Sequence, residues 1–203
     1  MTPDPGTRAR GARRGEARIA TVPNAISLGR LVCVPVFCWL LFGVHERGVA
    51  VGLLAALGAT DWVDGWIARR FDQTSEVGKV LDPTADRVLL LTSAVALLVD
   101  GSVPVWFGVA VLARETVISL AVLALALAHA ARIDVQWVGK AGTLSLMFAF
   151  PGFLLAAELA NTGGHDLARF GAWGFALVGL ALSYYAAIHY VPLARAALRQ
   201  AHR

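Results

Sequence analysis

The stretch DWVDGWIARRFDQTSEVGKVLDPTADR, residues 61–87, contains five aspartates, four of which form two pairs on either side of a basic segment. Asp61 and Asp64 are three residues apart, and Asp82 and Asp86 are four apart, so each pair shares one face of a helix. The connection between the pairs is short, which makes the two helices antiparallel neighbours. The four carboxylates are therefore expected to converge at one end of a helix pair.

Such a cluster of carboxylates predicts a metal site. Four carboxylates in one place would repel each other unless cations neutralised them. Their oxygens suit Mg²⁺ or Mn²⁺, and two such ions could bind a pyrophosphate. One carboxylate could then take a proton from an attacking alcohol. The small residues Gly65, Ala68 and Gly78 would let a ligand approach the backbone, and Arg69 could contact a phosphate. From Asp61 and Asp64 alone, the ion site of a cation transporter is the alternative interpretation.

The rest of the chain is strongly apolar. Of its 203 residues, 57% are hydrophobic and 16% are charged, and the mean hydropathy is +0.63. Long apolar runs with so few charges predict an all-α integral membrane protein. The net charge of +4 does not indicate nucleic-acid binding, because the arginines gather at the ends of apolar segments. We predict six transmembrane helices, at about 25–44, 49–69, 82–99, 103–129, 138–159 and 167–193.

Basic residues outside these helices predict the topology. They lie in the N-terminal arm, in the connection between helices two and three, before helix five and in the C-terminal tail, whereas the opposite loops carry only Arg47 and Arg169. The asymmetry predicts a multi-pass protein of the plasma membrane with both termini and the active site cytoplasmic. We divide the chain into a disordered basic arm (1–20), a six-helix catalytic domain (21–195) and a basic tail (196–203).

The second predicted helix places the carboxylates inside the membrane. Its apolar run, Val49 to Thr60, is shorter than the roughly 20 residues that a span requires. The helix must therefore continue through Asp61, Asp64 and Ala68. Ionisable groups at that depth are costly and usually functional, so they should face a polar cavity in the cytoplasmic half of the bilayer.

The full pattern D-x2-D-G-x2-A-R-x8-G-x3-D-x3-D resembles the signature of the CDP-alcohol phosphotransferase family, and every position of it is matched. The segments TVPNAISLGRLVCVPVF, VLDPTADR, LARE and VGKAGT resemble the phosphatidylglycerophosphate synthases of that family and their bacterial cardiolipin-synthase relatives. The half of the chain from GKAGTLSLMFAFP onward is most similar to actinobacterial members. The resemblance implies a six-helix bundle that forms a homodimer.

The resemblance also implies a role for each signature residue. Asp86 would be the general base as well as a metal ligand. The remaining metal ligands would be Asp61, Asp64 and Asp82. The residues around the CDP group would be Gly65, Ala68, Arg69 and Gly78.

The implied reaction transfers a phosphatidyl group from CDP-diacylglycerol to an alcohol and releases CMP. We expect sn-glycerol 3-phosphate as the acceptor, and phosphatidylglycerol, which would give cardiolipin, is the alternative. Three basic residues, Arg30, Arg114 and Lys140, are candidates for binding the acceptor. Two of them have another interpretation, because Arg114 could pair with Glu115 or with an aspartate of a neighbouring helix, and Lys140 could be a charge that sets topology at the membrane surface.

Overall fold

The computed structural model describes residues 22–71, 78–127 and 137–201, and within these ranges the chain forms six α-helices and no β-strand. This confirms the all-α prediction. The predicted basic arm, 1–20, lies outside the described residues. The helices are α1 (Val22–Cys38, continued by a π-helical turn at Trp39–Gly43), α2 (Arg47–Phe71), α3 (Gly78–Asp100), α4 (Val105–Leu127), α5 (Trp137–Glu158) and α6 (His165–Ala201).

The helix boundaries confirm one prediction and correct two. Helix α2 does continue beyond its apolar run, so that Asp61 and Asp64 lie within it. Helix α3 begins at Gly78 and not at Asp82, which puts Pro83 in its second turn at the cost of a helical hydrogen bond. Helix α6 continues past the predicted end to Ala201. The alanine, leucine, arginine and glutamine residues of this extension favour helix, so most of the predicted tail is helical.

Three helical segments are long and apolar enough to cross a bilayer in the part of the chain that the structure describes. They are Asn24–Gly43, Trp137–Glu158 and His165–His189. A fourth apolar segment, Arg47–Thr60, is shorter. The chain is therefore a membrane protein, while six crossings and their orientation stay a prediction.

An aromatic cluster joins α4, α5 and α6 at the end of the bundle away from Asp86. Phe107 of α4 is fully buried. Its ring centroid lies 5.5 Å from that of Phe153, 5.9 Å from that of Trp173 and 6.4 Å from that of Phe150. Aromatic rings at these separations contribute packing energy beyond the area they bury. The cluster holds the last three helices together, which fixes α5 beside the rest of the bundle.

Helices α5 and α6 approach each other through glycines. A Cβ atom added to Gly179 would lie 3.0 Å from the carbonyl oxygen of Gly142 and 3.0 Å from the backbone nitrogen of Leu146. One added to Gly142 would lie 2.9 Å from the backbone nitrogen of Ser183. Small residues that let backbones touch are the usual basis of helix association in membranes. Because the contacts are with backbone atoms, a larger side chain could be accommodated only by moving a helix.

We expect Gly179→Leu to lower the free energy of unfolding by about 1–3 kcal/mol, since the added side chain forces α5 and α6 apart. Gly174→Leu is the matched control on the same helix, because an added Cβ atom at Gly174 has no atom within 4 Å. Thermal unfolding of the detergent-purified protein, followed by tryptophan fluorescence, compares the two variants. Equal stability of the two would contradict the close approach of α5 and α6.

An ion pair links α2 to α3 at the same end of the bundle as the aromatic cluster. Arg47 Nη2 and Nε donate to Asp100 Oδ1 at 2.8 and 3.2 Å. Asp100 also accepts a hydrogen bond from the hydroxyl of Ser102. Arg47 begins α2 and Asp100 ends α3, so the two helices run antiparallel, as predicted.

Candidate active site

A small cavity shows how α2, α3 and α5 face one another. It is lined by Gly58 of α2, by Leu89 and Ser93 of α3 and by Met147 of α5, among others. Gly58 allows the close approach on one side, since a Cβ atom there would lie 3.5 Å from the carbonyl oxygen of Met147. The cavity thus fixes which turns of the three helices lie at the same level.

This register brings the four aspartate positions to one end of the cavity. Position 61 lies one turn beyond Gly58 on α2, and Asp86 lies one turn before Leu89 on α3. Because α2 and α3 are antiparallel, both steps lead in the same direction. One further turn in that direction lie position 64 on α2 and position 82 on α3. The side chains of several predicted site residues lie outside the part of the chain that the structure describes, namely those of Asp61, Asp64, Gly65, Ala68, Arg69, Gly78 and Asp82.

Asp86 is the predicted site residue whose surroundings are best defined. Its carboxylate oxygen Oδ1 forms an ion pair with the guanidinium of Arg30 on α1. The Arg30 side chain is 1% exposed, whereas that of Asp86 is 26% exposed. The structure therefore places Arg30 against the predicted general base, and α1 becomes a third wall of the site.

Ser93 is a polar residue of this region that the sequence did not single out. It is almost completely buried, it lines the cavity, and its hydroxyl oxygen has no hydrogen-bond partner among the described residues. Buried hydroxyl groups usually have a partner. Its spacing from Leu89 and Leu90 is that of a core position, so sequence patterning alone could not distinguish it from a packing residue.

Arg114 forms a buried ion pair with its sequence neighbour Glu115 on α4. The two side chains are 6% and 4% exposed. Near this pair, Arg87 of α3 donates to the Ser119 hydroxyl at 3.5 Å, and the Tyr184 hydroxyl of α6 donates to the carbonyl of Ala110 at 3.0 Å. The structure thus shows the pairing with Glu115 that the sequence left as one of two interpretations, and binding of the acceptor by Arg114 stays a prediction.

Lys140 lies in the first turn of α5 and is exposed. Helix α5 packs on α2 with Met147 beside Gly58, and Gly48 approaches Glu158 near the other end of the two helices. These two contacts show that α5 and α2 are antiparallel, so Lys140 lies at the level of Gly65. The structure therefore puts this lysine beside the turns that carry the aspartate pattern.

The sequence missed the contacts that join helices, because spacing along one helix says nothing about its partner. The sequence predicts Arg30 only as a candidate for acceptor binding, and it does not identify Asp86 as the partner of this arginine. A useful indication was its place inside an apolar helix, since a buried arginine requires a counter-charge. The chain has 14 acidic residues, so the sequence alone could not say which of them is the partner.

Comparison with known proteins agrees with the aspartate pattern. Residues 20–189 match the sequence model of the CDP-alcohol phosphatidyltransferase family. The matched range includes the described parts of α1 to α5 and most of α6. The match therefore covers the helical bundle as a whole and is not confined to the aspartate signature.

Curated relatives fall into two groups by name. A cardiolipin synthase (CMP-forming) from Streptomyces coelicolor is 37% identical over 187 residues, which are 90% of this chain and 86% of that protein. A probable phosphatidylglycerophosphate synthase from Mycobacterium tuberculosis is 38% identical over 146 residues, 70% of this chain and 69% of that protein. A CDP-diacylglycerol–glycerol-3-phosphate 3-phosphatidyltransferase from Haemophilus influenzae is 31% identical over 139 residues, 66% of this chain and 75% of that protein.

Proposed function

Since the chain belongs to the CDP-alcohol phosphatidyltransferase family, we propose that it transfers a phosphatidyl group from CDP-diacylglycerol to phosphatidylglycerol, which yields cardiolipin and CMP. The observation that carries this choice of acceptor is the extent of similarity. The cardiolipin synthase aligns over 90% of this chain, whereas the two relatives named for glycerophosphate chemistry align over 70% and 66%. The chain is an enzyme of phospholipid biosynthesis with either acceptor.

Divalent metal ions are generally required in this family, and we infer that two Mg²⁺ or Mn²⁺ ions bind here. The donor set fits them, because Asp61, Asp64, Asp82 and Asp86 offer hard carboxylate oxygens. The Asp86 side chain, which is 26% exposed beside a buried arginine, remains accessible. Bound ions would neutralise the pyrophosphate of the substrate and the carboxylates around it.

The protein's own residues each have a role in the proposed transfer reaction. Asp86 accepts the proton of the acceptor hydroxyl. The hydroxyl oxygen at the same time forms a bond to the β-phosphorus of CDP-diacylglycerol, which is the phosphorus next to diacylglycerol. The bond from that phosphorus to the bridging oxygen breaks, and CMP leaves with the electron pair. Gly65, Ala68 and Gly78 would let the nucleotide approach the backbone of α2 and α3, while Arg69 would bind its phosphate.

Lys140 is our candidate for the phosphate of the acceptor headgroup. It is exposed and lies at the level of Gly65 in the packed helices. Arg30 and Arg114, the other two candidates, are each engaged by a carboxylate, Asp86 and Glu115 respectively. A phosphodiester such as phosphatidylglycerol carries one negative charge, for which a single exposed lysine is a sufficient partner.

The membrane arrangement is part of the proposal. Six crossings would put both termini and the aspartate cluster on the cytoplasmic side, where CDP-linked nucleotides and metal ions are available. The basic arm and the extension of α6 would then lie at the same face, next to anionic lipid headgroups. A homodimer is proposed from the family resemblance.

The acceptor is tested with purified protein, CDP-diacylglycerol and Mg²⁺, with phosphatidylglycerol and glycerol 3-phosphate offered separately. We expect CMP release with phosphatidylglycerol, and cardiolipin as the lipid product. Release with glycerol 3-phosphate alone would replace the proposal by phosphatidylglycerophosphate synthesis, which the 38% identity to the mycobacterial relative favours as the second candidate. Absence of CMP release with both acceptors would contradict both assignments.

A further inference from the structure

Arg30 lies at a position where an arginine is costly. It belongs to the buried stripe of α1, which also includes Asn24, Ser27, Val34 and Phe37. The Arg30 side chain is the largest of the completely buried side chains among the described residues. Burial of a charge costs several kcal/mol unless a counter-charge compensates it, so the partner of Arg30 is the important feature of this position.

The ion pair with Asp86 is asymmetric. The guanidinium is sealed between helices, while the carboxylate is 26% exposed. Because the arginine cannot move without opening a packed interface, it fixes the carboxylate through Oδ1. Asp86 lies one turn from the cavity between α2 and α3, on the side of the other three aspartate positions. The buried and therefore rigid Arg30 thus sets the orientation of the Asp86 carboxylate.

We propose that Arg30 is a positioning residue, which holds Asp86 Oδ1 and thereby presents the carboxylate to the divalent cations of the site. This inference rests on the proposed function and replaces the earlier expectation that Arg30 binds the acceptor. Partners that orient a metal ligand in this way commonly account for about 10–100-fold in metal affinity. The arrangement gives α1 a direct part in assembling the site.

The test measures Mn²⁺ binding to the full-length, detergent-purified protein without any substrate, by electron paramagnetic resonance of the free ion. We expect Arg30→Gln to weaken Mn²⁺ binding by about 10–100-fold. The matched control is Arg47→Gln, which removes a second arginine that is paired with an aspartate of α3, at 2.8 Å from Asp100. Asp100 and Asp86 are about 21 Å apart along the helix, so the control should bind Mn²⁺ like the wild type.

Arg30→Lys covers the case in which Arg30→Gln does not fold, as judged by thermal unfolding. Lysine keeps the charge but loses the planar fork that fixes a carboxylate, so Arg30→Lys should bind Mn²⁺ more weakly than the wild type. Unchanged or tighter binding in the folded variants would overturn the proposal, and tighter binding would mean that Arg30 competes with the metal. Failure of the wild type to bind Mn²⁺ would overturn it as well.

Turnover of the wild type separates this inference from the proposed function. CMP release from CDP-diacylglycerol is measured on the same preparation. A wild type that binds Mn²⁺ but releases no CMP with any acceptor would contradict the proposed function, while the comparison of Arg30 variants would still decide the positioning role. A wild type that turns over, with Arg30→Gln unchanged in Mn²⁺ affinity, would leave the function intact and remove the inference.

Discussion

Asp86→Asn should lower CMP release by about a thousandfold. The amide has the shape of the carboxylate but cannot accept the proton of the acceptor hydroxyl, and general-base catalysis is commonly worth 10²–10⁴-fold, about the size of this loss. The substitution also removes the negative charge opposite Arg30 and one of the four predicted metal ligands. Initial rates of CMP formation with saturating phosphatidylglycerol and Mg²⁺ measure the effect.

Asp100→Asn is the control for this variant. Asp100 lies on the same helix and is paired with an arginine in the same way, but it lies at the other end of the bundle from the aspartate cluster. Its replacement should leave the rate of CMP release unchanged. If Asp86→Asn retained a rate within about tenfold of the wild type, the assignment of Asp86 as the base would be wrong.

Arg114→Met should lower the free energy of unfolding by about 3–5 kcal/mol, because it leaves the Glu115 carboxylate buried without its counter-charge. The double variant Arg114→Met with Glu115→Leu should recover most of this loss, since an apolar pair of similar volume carries no buried charge. Denaturant unfolding in detergent measures both. A single variant as stable as the wild type would show that the pair is not needed for folding.

The double variant also decides the second interpretation of Arg114. Once stability is restored, any remaining increase in the KM for the acceptor that Glu115→Leu alone does not show reports contact between Arg114 and the acceptor phosphate. An unchanged KM would limit Arg114 to the ion pair and leave Lys140 as the candidate for the headgroup. Lys140→Gln, which is exposed and should fold normally, then provides the comparison.

Much of the fold was predictable because helices in membranes follow simple physical limits. The shortness of the apolar run Val49 to Thr60 required α2 to include Asp61 and Asp64, and the helix does so. The starts of α4 and α5 lie within two residues of their predicted positions. The predicted start of α3 and the predicted end of α6 were wrong. Helix α3 begins earlier, at Gly78. Helix α6 extends to Ala201 through residues of high helix propensity.

The family, the aspartate pattern and the apolar helices could all be predicted, since each of these depends on residue type and spacing along one chain. Two contacts between helices became known from the packed structure. Arg30 of α1 pairs with Asp86 of α3, and Gly142 and Gly179 bring the backbones of α5 and α6 together. The choice of Glu115 as the partner of Arg114 also came from the structure. A buried charge could pair with any of several counter-charges, and a glycine could allow the close approach of any of several helices. Helix packing determines which neighbour is present.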